Sequence, residues 1–136
     1  MKINTTYNKL LSEAEDFFTI ARKEYAMGKK SNNDIHIRQG AEKAWNASVQ
    51  ATKALAASRG EKIPRSYNSQ FLLLRQIEKE NQPALNGFPV LSSMFRGFAS
   101  CLHGECFYHG EYKTDELDFD FEDVKRYIEI IKLLAK

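Results

Sequence analysis

The chain has 136 residues, of which 43% are hydrophobic and 28% are charged, and its formal net charge is +2. These values are ordinary for a globular protein, and a chain of this length can bury one core without a disulfide or metal staple. No apolar run approaches the roughly 20 residues of a membrane-spanning helix, and the start turns acidic before a signal-peptide core could form. We therefore expect a single cytoplasmic domain over residues 1–136 with no membrane partner.

Two helices are predicted in the first half of the chain. Hydrophobic residues at three- and four-residue spacings indicate a first helix that is capped by Asn4 or Thr5 and ends at Gly28. A second helix is expected from about Asp34 to Ser58, with Gly60 just beyond its end. Its inner stripe consists mostly of small residues around one large anchor: Ala41, Ala44, Trp45, Ser48, Thr52 and Leu55.

Proline and glycine divide the second half into three further helices. A short helix follows Pro64, and its inward side chains are Tyr67, Phe71, Leu74 and Ile77. After breaks at Pro83, Gly87 and Pro89, a fourth helix is predicted over residues 89–110, with Pro89 in its first turn.

The last helix is expected to begin at a cap formed by Asp118 or Asp120. Its predicted core residues are Phe121, Val124, Tyr127, Ile128, Ile131 and Leu134. No alternating strand pattern is present, so we predict an all-α, antiparallel up-and-down bundle of four principal helices plus one short helix.

The fourth predicted helix carries most of the reactive side chains, in the stretch RGFASCLHGECFYHG. Arg96 and His103 are about two α-helical turns apart, so both are expected on one face. Gly97 and Gly104 repeat that step one position later and predict a groove where the Trp45 helix approaches closely. Arginine can bind a phosphate and histidine can transfer a proton near neutral pH, so this face favours RNA cleavage without a metal.

Two other kinds of site fit the same stretch less well. His103 and His109 end about 120° apart on a straight helix, and no paired CxxC or HExxH is present, so we expect no metal and no other cofactor. Cys106 beside a histidine would be a candidate nucleophile, but a small packing residue is the commoner role of cysteine. Cys101, in phase with Leu91 and Phe98, is interpreted as core.

The sequence also resembles a known family. Arg96, six residues and His103 near the end of a long helix resemble the HEPN domain, whose motif is Arg, four to six residues, His. The segments from Ala41 to Ala47 and from Leu102 to Tyr108, in RQGAEKAWNASVQATKALAA and CLHGECFYHGEY, look like a HEPN-related group of uncharacterised archaeal and bacterial bundle proteins.

The resemblance implies a metal-independent ribonuclease that forms a homodimer, in a toxin–antitoxin setting with a nucleotidyltransferase-like partner. Arg96 would stabilise the phosphate, and His103 would serve as general acid–base. We expect RNA or nucleotide contacts from four further residues: Lys43, Trp45, Tyr108 and His109.

The alternative is a non-catalytic interaction or scaffold bundle that self-associates or pairs with a nucleotidyltransferase-like protein. Gly97 stands directly after Arg96, where ribonuclease-active members of the family usually carry a polar residue, and this favours the alternative. Arg96 would then pair with an acid on a neighbouring helix, His103 would be a satisfied core or interface histidine, and Trp45 would be a core anchor.

Overall fold

The helices lie close to the positions that the hydrophobic pattern predicts. The computed structural model describes residues 4–81 and 90–135. Within these ranges it contains helices and no strands: α1 (Thr5–Ser31), α2 (Asp34–Ser58), α3 (Tyr67–Glu80), α4 (Leu91–Phe98), a π-helical segment that continues α4 (Ala99–Tyr108), and α5 (Thr114–Leu134). The all-α class is confirmed, whereas the up-and-down order of the whole bundle stays a prediction. The expected breaks at Pro83, Gly87 and Pro89 lie outside the described residues.

The end of α1 differs from the prediction. Asn32, with a φ of 52°, adopts the left-handed conformation that ends α1, so the helix continues past Gly28. Gly28 instead allows close packing, because a Cβ at this position would lie 2.7 Å from the backbone nitrogen of Ile37 in α2. Gly40 of α2 makes a similar approach, where a Cβ would lie 2.9 Å from the backbone nitrogen of Tyr25.

The groove predicted at Gly97 and Gly104 is therefore wrong. Among residues 4–81 and 90–135, a Cβ added at Gly97 would meet no atom within 4 Å, and one at Gly104 would meet only the carbonyl oxygen of Ala99 in its own helix, at 3.4 Å. The physical reason is that Phe95 and Phe98 face the core, which turns Gly97 away from it. The close helix contact lies between α1 and α2.

The central helix is α2, which packs against every other helix in the described ranges. All six residues of its predicted inner stripe are buried. The polar ones are satisfied, since the Thr52 hydroxyl lies 2.6 Å from that of Tyr127 and donates to the carbonyl of Ser48 at 2.8 Å. Side chains from all the helices join α2 in one core cluster.

Two details of α3 and α5 depart from expectation. On α3, Leu74 and Ile77 are buried as predicted, but Tyr67 is 42% exposed and Phe71 is half-buried, so both lie at the rim of the core. Since α5 begins at Thr114, Asp118 falls within the helix and does not cap it. Its carboxylate instead accepts hydrogen bonds from Tyr25 and Lys29, each at 2.7 Å.

The predicted core of α5 is otherwise confirmed, with Leu134 partly buried. Asp120, the other predicted cap, also lies inside α5. Burial first, and then the nearby Asp123 and Glu116, raise the pKa of Asp120 to about 6.

The fourth helix changes its geometry in the middle. From Ala99 onward it is π-helical, and its end is marked by a hydrogen bond from the N–H of His109 to the carbonyl of Gly104, at 3.1 Å. Each residue turns less in a π-helix than in an α-helix, so α-helical spacing fails beyond Phe98. In this segment Leu102 and Cys106 are buried, whereas Cys101, predicted to be core, is only half-buried.

No helix in residues 4–81 or 90–135 combines the length and the apolar character that crossing a bilayer requires. The cytoplasmic location stays a prediction.

Candidate functional site

Arg96 is exposed on α4 and contacts an aromatic ring of α3. Its guanidinium carbon lies 4.5 Å from the centroid of the Phe71 ring, and that of Arg75 lies 5.5 Å from the same centroid. Cation–π contacts at exposed sites contribute about 0.5–1 kcal/mol each. Within the described ranges Arg96 has no acidic partner, so the predicted pairing with a neighbouring acid is wrong for this part of the chain. Its charge is available to an anion.

His103 lies in the π-helical segment and pairs with an acid of α2. Its Nδ1 atom is 2.7 Å from Oε1 of Glu42, and the side chains are 36% and 21% exposed, respectively. The imidazole ring also contacts Trp45, with ring centroids 5.9 Å apart, and Tyr108 edge-on, with centroids 5.1 Å apart. The histidine is thus held on several sides while part of its ring stays open to solvent.

The face that Arg96 and His103 were expected to share is not formed as predicted. The π-helical segment begins between them, at Ala99, so the two-turn register of an α-helix does not hold. Arg96 consequently contacts Phe71 of α3, whereas His103 contacts Glu42 of α2. No hydrogen bond joins the two side chains among the described contacts.

Aromatic rings connect the two residues instead. The aromatic row, as we define it, runs from Phe71 through Tyr67, Trp45 and His103 to Tyr108, and successive ring centroids lie 6.1, 6.5, 5.9 and 5.1 Å apart. Tyr108 is 66% exposed at one end, and Phe71 is half-buried at the other. Trp45 is only 9% exposed in the middle, where it packs on Phe95, so it acts as a core anchor.

Two predicted contact residues lie elsewhere in the described structure. Lys43 is engaged by the Glu24 carboxylate of α1, which also lies 3.6 Å from Nδ1 of His36. His109 is exposed just past the π-helical segment, and in the described part of the chain its side chain makes no hydrogen bond or ion pair with Arg96 or His103. The structure therefore brings Trp45 and Tyr108 to His103, but not Lys43.

Arg38 of α2 supports the site and was missed by the sequence reasoning. Its guanidinium donates to the carbonyl of Phe107 at 2.7 and 3.0 Å and to that of Tyr108 at 3.0 Å. Gly110, with a φ of +66°, packs against this group, since a Cβ there would lie 3.2 Å from the guanidinium carbon. These carbonyls are free because the helical segment ends at Tyr108, and the sequence does not show that Arg38 of α2 lies close to that end.

Glu42 and Phe71 were also missed as partners of the two motif residues. Glu42 precedes Trp45 by three residues, a spacing that places both on one face of α2. Since Trp45 was a predicted site residue, this spacing could have predicted that Glu42 lies near the site. Phe71 was assigned to the core, and only its position at the rim brings it to Arg96.

The Cys106 thiol and the grouping of possible metal ligands bear on the two other kinds of site that the sequence suggested. Burial raises the pKa of the Cys106 thiol to about 12, which keeps it protonated at neutral pH and agrees with a packing role. No three His, Cys, Asp or Glu side chains of residues 4–81 and 90–135 are grouped closely enough to hold a metal ion.

No family model matches the chain, and no curated protein or solved structure is significantly similar to it.

Proposed function

We propose that the chain is a HEPN-like helical domain that binds RNA or nucleotides through the aromatic row and the two arginines beside Phe71. The observation that supports this most directly is Arg96, an exposed cation that lies over a partly exposed ring and has no acidic partner within the described ranges. Protein surfaces that bind single-stranded nucleic acids combine aromatic rings, which stack on bases, with arginines, which contact phosphates.

The partly exposed rings, rather than Trp45, are the stacking positions in this proposal. Tyr67, Phe71 and Tyr108 present aromatic surface to solvent, whereas the ring of Trp45 fixes the row to the core. Arg75 and Arg96 would hold the strand at the Phe71 end by its phosphates. His103 would lie at the Tyr108 end.

Metal-independent cleavage of RNA is the finer form of this proposal, and the contact between His103 and Glu42 favours it. The 2′-hydroxyl of the ribose would lose its proton to His103, and its oxygen would form a bond to the adjacent phosphorus. The bond from phosphorus to the 5′-oxygen would break, and that oxygen would take a proton from solvent. The products would be a 2′,3′-cyclic phosphate and a 5′-hydroxyl.

Arg96 would stabilise negative charge on a phosphate in this reaction, as the family resemblance implies. Seven helical residues rise by at most about 10 Å, so Arg96 and His103 of one chain would address neighbouring positions of a strand. A homodimer, also implied by the resemblance, would place two such faces around one cleft.

Binding is tested by fluorescence anisotropy with a labelled single-stranded RNA in EDTA. We expect Phe71→Ala and Arg96→Ala each to weaken binding about 5- to 150-fold, since a stacking or charge contact is worth about 1–3 kcal/mol. Arg126→Ala, at an exposed arginine of α5, is the matched control and should bind like the wild type.

Cleavage is tested in the same buffer by following RNA products. Loss of cleavage in His103→Ala, with the fold intact by circular dichroism, supports the ribonuclease form. Equal residual cleavage in both proteins would identify a contaminant. If the wild type neither binds nor cleaves RNA, the proposal fails, and a scaffold that self-associates or pairs with a nucleotidyltransferase-like partner becomes the better interpretation.

A further inference from the structure

We infer that Glu42 is a positioning residue that holds His103 in one tautomer, with Nε2 as the atom that exchanges protons with a bound ligand. The inference deepens the proposed function, and its role in RNA cleavage rests on that function. The tautomer itself depends only on the contact between α2 and the π-helical segment.

The tautomer follows from the chemistry of the two groups. An ionised carboxylate has no hydrogen to donate, so the 2.7 Å contact requires Nδ1 of His103 to carry the proton and Oε1 of Glu42 to accept it. A neutral imidazole has one N–H, which leaves the lone pair on Nε2. Free histidine in water prefers the opposite tautomer, so the contact imposes a choice that the isolated side chain would not make.

The surroundings of the ring keep this arrangement in place. The Phe107 ring lies nearly parallel to the imidazole, at 18° and 6.2 Å between centroids, and Trp45 and Tyr108 contact it from other directions. These contacts, together with the hydrogen bond to Glu42, favour the observed orientation of the ring.

Glu42 also suits the protonated state of the histidine. When Nε2 accepts a proton, the imidazolium remains hydrogen-bonded to a carboxylate that is largely shielded from solvent. A carboxylate that orients a histidine and stabilises its cation is a recurring device, and its loss costs from about 10–100-fold at metal-bound histidines to about 10⁴-fold in a hydrolase triad.

The direct test is nuclear magnetic resonance of protein labelled with ¹⁵N in its histidines, at alkaline pH where the rings are neutral. Long-range ¹H–¹⁵N correlations identify which nitrogen carries the proton. We expect the Nδ1–H form to predominate for His103 in the wild type and the Nε2–H form to increase in Glu42→Ala. Glu42→Gln should also lose the preference for the Nδ1–H form, because the amide can donate its own N–H to Nδ1, which a carboxylate cannot do.

Glu105→Gln is the matched control, at an exposed acid of the same π-helical segment, and should leave the His103 signals unchanged. A wild-type spectrum dominated by Nε2–H would overturn the inference, as would an unchanged tautomer in folded Glu42→Ala. The wild-type spectrum decides the matter even if Glu42→Ala does not fold.

Kinetics with RNA separate the inference from the function on which it rests. We expect Glu42→Ala to lower kcat about 10-fold or more with little change in KM, and Glu42→Gln to lower it as well, because its amide can hold His103 in the other tautomer. A wild type without RNA binding would sink the proposed function while the tautomer result stands. Normal kcat in Glu42→Ala would overturn the positioning role even where RNA binding is confirmed.

Discussion

The carboxylate of Glu78, near the end of α3, accepts hydrogen bonds from both the backbone N–H and the hydroxyl of Ser92, in the first turn of α4. Both residues are buried. A negative charge at this point also interacts favourably with the positive end of the helix dipole of α4. One side chain thus caps a helix to which it does not belong, and α4 is the helix that carries Arg96.

Removal of this cap should therefore destabilise the protein. We expect Glu78→Ala to lower the free energy of unfolding by about 2–4 kcal/mol, because it leaves a buried N–H and a buried hydroxyl without their partner. Urea unfolding measures the change. Glu80→Ala, at an exposed acid paired with Arg59, should cost no more than about 1 kcal/mol, and an equal loss in both variants would contradict the capping role.

Gly40, at the contact between α1 and α2, and Gly97, which faces away from the core, should respond to alanine with opposite changes in stability. Gly40→Ala places a methyl group 2.9 Å from the backbone nitrogen of Tyr25, so we expect a loss of about 1–3 kcal/mol from overpacking. Gly97→Ala meets no neighbour within 4 Å and should gain about 0.5–1 kcal/mol from helix propensity. Thermal unfolding of both variants provides the comparison, and a destabilised Gly97→Ala would show that a helix does approach there.

Asp120 should make the stability depend on pH in the direction opposite to that of a salt-bridged acid. Its folded-state pKa of about 6 lies above the ordinary value of 3.8 for an aspartate, so the folded protein holds this proton more tightly than the unfolded chain. Asp120 therefore lowers the free energy of unfolding least below about pH 4, where it is protonated in both states. The free energy of unfolding falls as the pH rises through about 6, where the folded protein loses this proton.

Replacement by a neutral side chain removes that penalty. We expect Asp120→Asn to raise the free energy of unfolding at neutral pH by about 1–3 kcal/mol, and to have a smaller effect near pH 4. Chemical unfolding at the two pH values tests this, with Asp16→Asn at an exposed site of α1 as the control. A gain that is the same at both pH values would mean that the charge of Asp120 is not its cause.

Arg38 should be needed for the order of the π-helical end. Arg38→Ala removes the donors to the carbonyls of Phe107 and Tyr108, so we expect a loss of about 1–3 kcal/mol in stability. Arg38→Lys should rescue little, because an ammonium cannot reproduce the planar fork of the guanidinium. Faster hydrogen exchange of the amides near Gly110 in both variants would support this role, and full rescue by lysine would contradict it.

The sequence predicted the positions of the helices well because local signals determine them. The inner stripe around Trp45 keeps helical spacing along the whole of α2. Asn4 was predicted to cap the start of α1 and Gly60 to follow the end of α2, and the structure confirms both. Asn32 was missed as the end of α1 because glycine is the usual left-handed residue, and Gly28 lay nearby.

The site was predicted less completely because it depends on contacts between distant segments. Arg96 and His103 were placed on one face by assuming α-helical geometry throughout, and nothing in the local sequence announces the π-helical turn at Ala99. Phe71 and Arg38 reach the site from α3 and α2, and only the packing of those helices shows it. Residue types indicated the chemistry, whereas their arrangement required tertiary structure.

Because the helix changes from α to π geometry at Ala99, side chains before and after this residue point in different directions around the helix axis. One continuous helix can therefore contact two different neighbours. Its first half directs Arg96 to α3, and its second half directs His103 to α2. The relative rotation of these halves depends on how many residues lie between them. Deleting one residue of this stretch would therefore misalign the two ends of the aromatic row, whereas exchanging an exposed side chain such as Ser100 would leave the alignment intact.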